Sequence, residues 1–258
     1  MVRPESAKLS FVGSIPTRTS ILLLCAHLVW GADPAELLEK ALTAKQALVP
    51  RIRDYLGQED IRYYRTPANG RRKQTGWATY DVFVVDKARV YRLIANNGKP
   101  VKPSKTNAKP RQGEADRIAF QVEDLRQNHT LAIRGEATIL GRRCWLLEGT
   151  LDPGAPDVAG RSRGMASSDA TLWIDQETHW ILKEEARLRR RWLSFPEGSV
   201  VTHEVVFHDG LPLNGRIHLQ RTTAADDEDR RVLLETEQTY SRYRRFGADS
   251  AIEFNPVQ

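Results

Sequence analysis

The chain has 258 residues and a formal net charge of +6 at pH 7, room for one large β domain or two small ones. Hydrophobic residues make up 40% and charged residues 28%, which supports a sizeable core with a wet outer face and excludes a chain too polar to fold. The mild positive excess suits an anionic membrane surface, and is equally the ordinary charge of a soluble protein.

Residues 1–32 read as a leader. Arg3, Lys8 and Arg18 make a basic start, ILLLCAHLVW over residues 21–30 is a short apolar run, and Gly31 and Ala32 are small. That is the order of a secretory signal peptide, and the run is too short to span a bilayer. Val29 makes a cut after Gly31 better than one after Ala32, where Trp30 would stand three residues before it. An N-terminal membrane anchor is the alternative. Lipidation at Cys25 is disfavoured, because a large Leu24 precedes it. Loss of the leader, with Glu5, lowers the net charge to +4 and leaves one cysteine, Cys144, which cannot form an internal disulfide. It reads as a small buried hydrophobe. The expected organisation is a signal peptide at 1–32 and one domain at 33–258.

The mature chain begins with a predicted helix over residues 33–55. Asp33 caps it, Pro34 suits the first helical position, and Leu37, Leu38, Ala41, Leu42 and Leu48 share a face. Pro50 ends or bends it. Strands follow. Residues 61–65 lead to a turn at 67–70, then a long run over 71–86 and a return over 90–95. Asn97-Gly98 supplies the positive φ of a two-residue hairpin. Residues 99–114 carry five Lys/Arg, three prolines and no aromatic residue, and read as a mobile basic loop; nucleic-acid binding would call for interleaved aromatic residues. Residues 115–126 are spaced for a short helix. Strands resume over 131–140 and 144–148, followed by a Gly-, Pro- and Ser-rich loop over 152–168.

The most organised stretch is TLWIDQETHWILKEEARL, residues 171–188. It reads as two alternating strands joined at Asp175-Gln176-Glu177-Thr178. Arg187, Arg189 and Arg191 would line one face of a continuing strand. After a turn region at 192–199, strands are expected over 200–207, 217–221 and 232–243, with a polar turn at 225–229. Ten or eleven short strands, one strong helix and no alternating helices predict a mainly β fold with a curved antiparallel sheet or unclosed barrel.

The search for chemistry finds no matched set. His203 and His208 stand five apart rather than the four of a helical zinc motif, and on a strand they face opposite ways. Glu184 and Glu185 alternate faces. No nucleophile elbow, phosphate loop or dinucleotide fingerprint occurs, so neither a cofactor nor a metal is expected.

Several stretches resemble one family. TYDVFVVDKARVYRL over residues 79–93, running into Asn97-Gly98-Lys99-Pro100, the strand Gly141-Arg142-Arg143-Cys144-Trp145-Leu146-Leu147, the hairpin Leu172-Trp173-Ile174-Asp175 with Thr178, and the ending Tyr240-Ser241-Arg242-Tyr243-Arg244-Arg245-Phe246 are similar to motifs of the periplasmic outer-membrane lipoprotein carrier (LolA/LolB-like) superfamily. The resemblance implies an unclosed antiparallel barrel wrapped over helices, with an apolar cavity for acyl chains. Carriers, receptors and envelope-stress sensors share that fold.

The leading expectation is therefore a non-enzymatic, periplasmic or secreted protein that binds lipid or lipoprotein acyl chains. Trp77, Phe83, Trp145, Trp173, Trp180 and Phe207 are the candidate cavity lining, and the competing reading for each is ordinary core packing. The second expectation is a module that holds an envelope or membrane protein on the same sheet. The third is a hydrolase that uses His203 or Glu204.

Overall fold

In the computed structural model, α1 (Pro34–Leu48) begins where the sequence signals place it, with Glu36 in its first turn. It is shorter than the expected helix. Pro50 has no N–H to continue the ladder, and Val49–Arg51 tightens into a 3₁₀ turn. Leu37, Leu38, Ala41 and Leu42 are buried against the sheet. The structure describes residues 33–52, 55–68, 70–85, 88–102, 108–110, 122–156, 165–223 and 232–245. The leader at 1–32, much of the stretch at 99–126 and the polar turn at 225–229 lie outside them. Among the described residues no helix is long and apolar enough to cross a membrane.

Twelve strands make one sheet: β1 (Tyr55–Pro67), β2 (Lys73–Val85), β3 (Ala88–Asn96), β4 (Lys99–Pro100), β5 (Ala108–Pro110), β6 (His129–Ile139), β7 (Arg142–Leu151), β8 (Ser168–Asp175), β9 (Ile181–Leu188), β10 (Val200–His208), β11 (Leu211–Thr222) and β12 (Val232–Arg245). Every pairing is antiparallel. The spatial order is β4-β3-β2-β1-β12-β11-β10-β9-β8-β7-β6, with β5 also on β3. Consecutive strands pair within β1–β4 and within β6–β12, β5 lies on β3, and one seam joins the two runs. There β1 pairs with β12, Glu59 opposite Tyr240 and Ile61 opposite Gln238. Among the described residues the ends of the sheet, β6 and β4, do not pair, which leaves the barrel open there.

Short turns make the meander possible. Asn97 and Gly98 both take positive φ (47° and 75°), as a tight right-twisted hairpin requires. Two expectations need revision. Parts of the basic stretch, Lys99–Pro100 and Ala108–Pro110, are short strands that pair with β3, because the edge strand offers unpaired backbone groups. Residues 189–191 do not continue β9. The chain leaves the sheet at Leu188 and folds back, with the Trp192 ring stacked on Phe195 at 5.6 Å. The three arginines therefore do not form a stripe. Of the predicted helix at 115–126, residues 115–121 lie outside the described residues, and Val122–Arg126 forms a 3₁₀ turn.

The core lies between one face of the sheet and the cover of α1 and the 3₁₀ turn. Leu147, Leu172, Ile174, Ala186, Leu188, Val201, Ile217 and Tyr240 meet Leu38 and Leu42 there. Period-2 alternation places these side chains together from six strands. Polar ties hold the cover in place. Arg126 donates to both Glu39 oxygens, and Lys45 Nζ sits 3.0 Å from Glu123. Cys144 is buried, and desolvation raises its thiol above the usual value. It lies opposite Asp175 on the β8 ladder.

Candidate binding cleft

The cover does not extend over the whole sheet. Beyond the last turn of α1 an apolar cleft of about 280 Å³ opens, close to the small end of the range for ligand pockets. Leu48, Val49 and Ile52 form its helical wall, and Val122 closes one side. Trp180, Ile181, Val205 and Pro212 form its sheet wall. A recess of about 60 Å³ continues from it, sharing Ile52, Pro212 and Asn214 and adding Val82, Tyr240 and Tyr243.

Trp180 owes its place to the turn between β8 and β9. Asp175 accepts hydrogen bonds from the Thr178 N–H at 2.9 Å and from the Thr178 hydroxyl. His179 then takes φ 57°, and the Asp175 N–H donates to the Trp180 carbonyl at 2.9 Å. Arg142 grips the same carboxylate with two donors, at 3.0 and 2.9 Å. Asp175 is only 1% exposed. Burial by itself would raise its pKa, but the Arg142 and Thr178 hydrogen bonds outweigh it and hold the carboxyl below its ordinary value. One residue later the ladder slips. Ile174 pairs with Ile181 while Trp173 pairs with Lys183, a bulge that turns Ile181 towards the core.

The opposite wall also depends on a bulge. Glu204 pairs with Arg216, but Val205 pairs with Asn214, so Gly215 is skipped. A Cβ on Gly215 would come within 2.9 Å of the Val205 carbonyl carbon and 3.0 Å of the Glu204 oxygen. Only glycine allows this approach.

Besides Lys45, three polar side chains line the cleft: Glu184, His203 and Asn214. His203 lies opposite Glu184 on adjacent strands. Its Nδ1 is 3.2 Å from Glu184 Oε1, and its Nε2 is 3.2 Å from Asn214 Oδ1. Glu184 is 3% exposed and His203 7%. The two sit on different strands, and Asn214 arrives only through the bulge, so no contiguous motif reveals the trio.

The six aromatic candidates separate. Trp180 lines the cleft, and Phe207 packs beside it with ring centroids 6.2 Å apart. Arg51 stands over the Trp180 ring at 5.9 Å and Arg142 over Phe207 at 5.7 Å. Trp145 packs on the core between sheet and helix, opposite Ile174. Trp173 alternates with the buried Leu172 and Ile174, so it faces the other side of the sheet, where Lys183 Nζ lies 4.9 Å from its ring. Trp77 and Phe83 alternate with Ala78 and Val82 on β2, and Val82 belongs to the recess. Their side chains therefore leave the cleft face, with Arg62 at 5.8 Å and Arg92 at 5.4 Å over the respective rings. The structure thus brings Trp180 to the cleft with Phe207 packed beside it, and places Trp77, Phe83 and Trp173 on the other face.

The face turned away from the helix is ionic. Arg72 bonds Glu235 at 2.8 Å and Glu237 at 2.6 Å, His218 Nε2 lies 3.2 Å from Glu235, and Arg216 reaches Glu237. Desolvation would raise both glutamates, yet the Arg72 hydrogen bonds leave them lowered. Each charge in this network has an opposite neighbour, as on a solvated sheet face. His208, five residues along β10 from His203, packs its ring against Tyr55 and Tyr243 at 5.9 and 6.0 Å. No group of three or more metal-ligating side chains occurs among the described residues.

No family model and no curated protein sequence matches the chain. Solved structures do match in outline. A DUF1329 family protein from Desulfovibrio piger is 14% identical, with 87% of this chain and 98% of that one covered, at a TM-score of 0.41. A putative outer membrane lipoprotein-sorting protein domain from Vibrio parahaemolyticus is 12% identical, covering 84% and 97%, at 0.42. A LolA superfamily protein from Nitrosomonas europaea is 13% identical, covering 84% and 94%, at 0.37.

Proposed function

We propose that this chain is a non-enzymatic carrier or receptor of the cell envelope that holds the acyl chains of a lipid or lipoprotein in the cleft beside α1. The observation that carries this reading is the cleft wall: Leu48, Ile52, Trp180, Ile181 and Val205 present apolar surface that no other part of the described chain covers. Each methylene moved from water into such a site contributes about 0.8 kcal/mol without any directional contact. Residues 1–32 act in this reading as the signal that delivers domain 33–258 to the periplasm or beyond. No cofactor is needed.

The test is displacement of a fluorescent acyl probe. Ile181→Asp puts a charge into the sheet wall and abolishes probe binding, with near-UV circular dichroism confirming that the variant is folded. Trp173→Asp, on the ionic face, leaves binding unchanged. Equal loss in both folded variants, or none in either, refutes the assignment of the cleft. A protein that takes up no acyl probe yet captures a peptide on the same face is instead a partner-binding module.

A further inference from the structure

The buried row of β9 reads Leu182, Glu184, Ala186, Leu188, so one carboxylate interrupts an apolar series at the point where the cleft opens. A buried carboxylate costs several kcal/mol unless it is paired and hydrogen-bonded, and a leucine there would pack without that penalty. His203 supplies one partner and engages only Oε1. Both ring nitrogens of His203 are already within hydrogen-bond distance of protein atoms, Glu184 on one side and Asn214 on the other. The second Glu184 oxygen can still accept a hydrogen bond. Lys45, which also lines the cleft, has its ammonium on Glu123. At Glu184 the cleft wall therefore offers a hydrogen-bond acceptor.

We infer that the cleft selects acyl ligands whose first polar group is a hydrogen-bond donor, such as an amide N–H or a hydroxyl, and discriminates against a free carboxylate. The inference rests on the acyl-binding reading and names the ligand class for that site. A donor-headed ligand lays its chain along Trp180, Ile181 and Val205 and gives its proton to Glu184. A fatty-acid anion in the same pose brings a second negative charge against Glu184 in an apolar cleft, where like charges repel.

The experiment compares decanamide, decanol and decanoate as competitors of a fluorescent acyl probe on the full-length protein at neutral pH. The amide and the alcohol are expected to displace the probe at concentrations about tenfold or more below that of decanoate, the effect of one satisfied or frustrated buried hydrogen bond. Glu184→Gln, which keeps the shape and adds a donor, is expected to erase most of that gap. Equal potency of decanamide and decanoate on the wild-type protein overturns the inference, as does an undiminished gap in a folded Glu184→Gln variant. The wild-type comparison decides the matter even where the variant does not fold. Binding of the probe without head-group preference removes only this inference, whereas failure of the probe to bind removes the acyl-binding reading and this inference with it.

Discussion

Chain length is the sharpest probe of the cleft. Its volume is about 280 Å³. A methylene is close to a water in size, and a water occupies ~30 Å³ of liquid, so the cleft holds about nine methylenes. At about 0.8 kcal/mol each, the gross gain is about 7 kcal/mol before the cost of ordering the chain is subtracted. In a homologous series of fatty amides, affinity should rise about fourfold per added methylene and level off near nine, or near eleven if the chain enters the 60 Å³ recess beside Tyr240 and Tyr243. Val205→Phe enlarges the side chain on the sheet wall and should move the plateau to shorter chains while leaving the initial slope unchanged. Competition against a fluorescent acyl probe gives both slope and plateau. A flat series, a rise that continues well past the capacity of cleft and recess, or a plateau unmoved in folded Val205→Phe would refute the reasoning.

Two structural predictions concern the supports of the cleft. Gly215→Ala forces a Cβ onto the Val205 and Glu204 backbone. It should lower stability by about 1–3 kcal/mol in urea unfolding, and it should weaken probe binding because the bulge sets Val205 and Asn214; a variant as stable as the parent contradicts the assigned close approach. Asp175→Asn leaves Arg142 without its buried partner and should cost about 1–3 kcal/mol. Because Asp175 is depressed below its unfolded value of 3.8, its contribution is present above about pH 4 and is lost as pH falls through the lower folded value. The urea midpoint of the parent should therefore drop below pH 4 more steeply than that of Asp175→Asn, and parallel curves would count against the linkage.

Much of the architecture is legible in local chemistry. Asp33-Pro34 and Pro50 mark the helix, Asn97-Gly98 marks a hairpin, and strict alternation over residues 171–174 marks a strand. Sidedness is harder to read. Alternation separates Trp173 from Leu172 and Ile174, but it does not say which side the helix covers; that depends on the β1–β12 seam, which joins residues nearly the whole domain apart. Trp173, Trp77 and Phe83 look like cavity residues because large apolar side chains on a strand suit either a core or a basic outer face, where arginine and lysine stems cover them. The cleft wall itself is set by two bulges, at Leu182 and Gly215. A bulge shifts every later side chain by one place, so a pattern of period two cannot reveal it. Glu184, His203 and Asn214 come from three strands and meet only after those registers are established. The rejected histidine pair illustrates the same point: His203 matters through Glu184 and Asn214, not through His208.

The measurement that bears most directly on the acyl-binding account is native mass spectrometry of the purified protein, followed by organic extraction of whatever it carries. The account predicts an added mass that extraction identifies as an acylated molecule, retained by the wild type and lost in folded Ile181→Asp. A clean apo mass, with no uptake of added fatty amide, would contradict it and leave the cleft as plain surface.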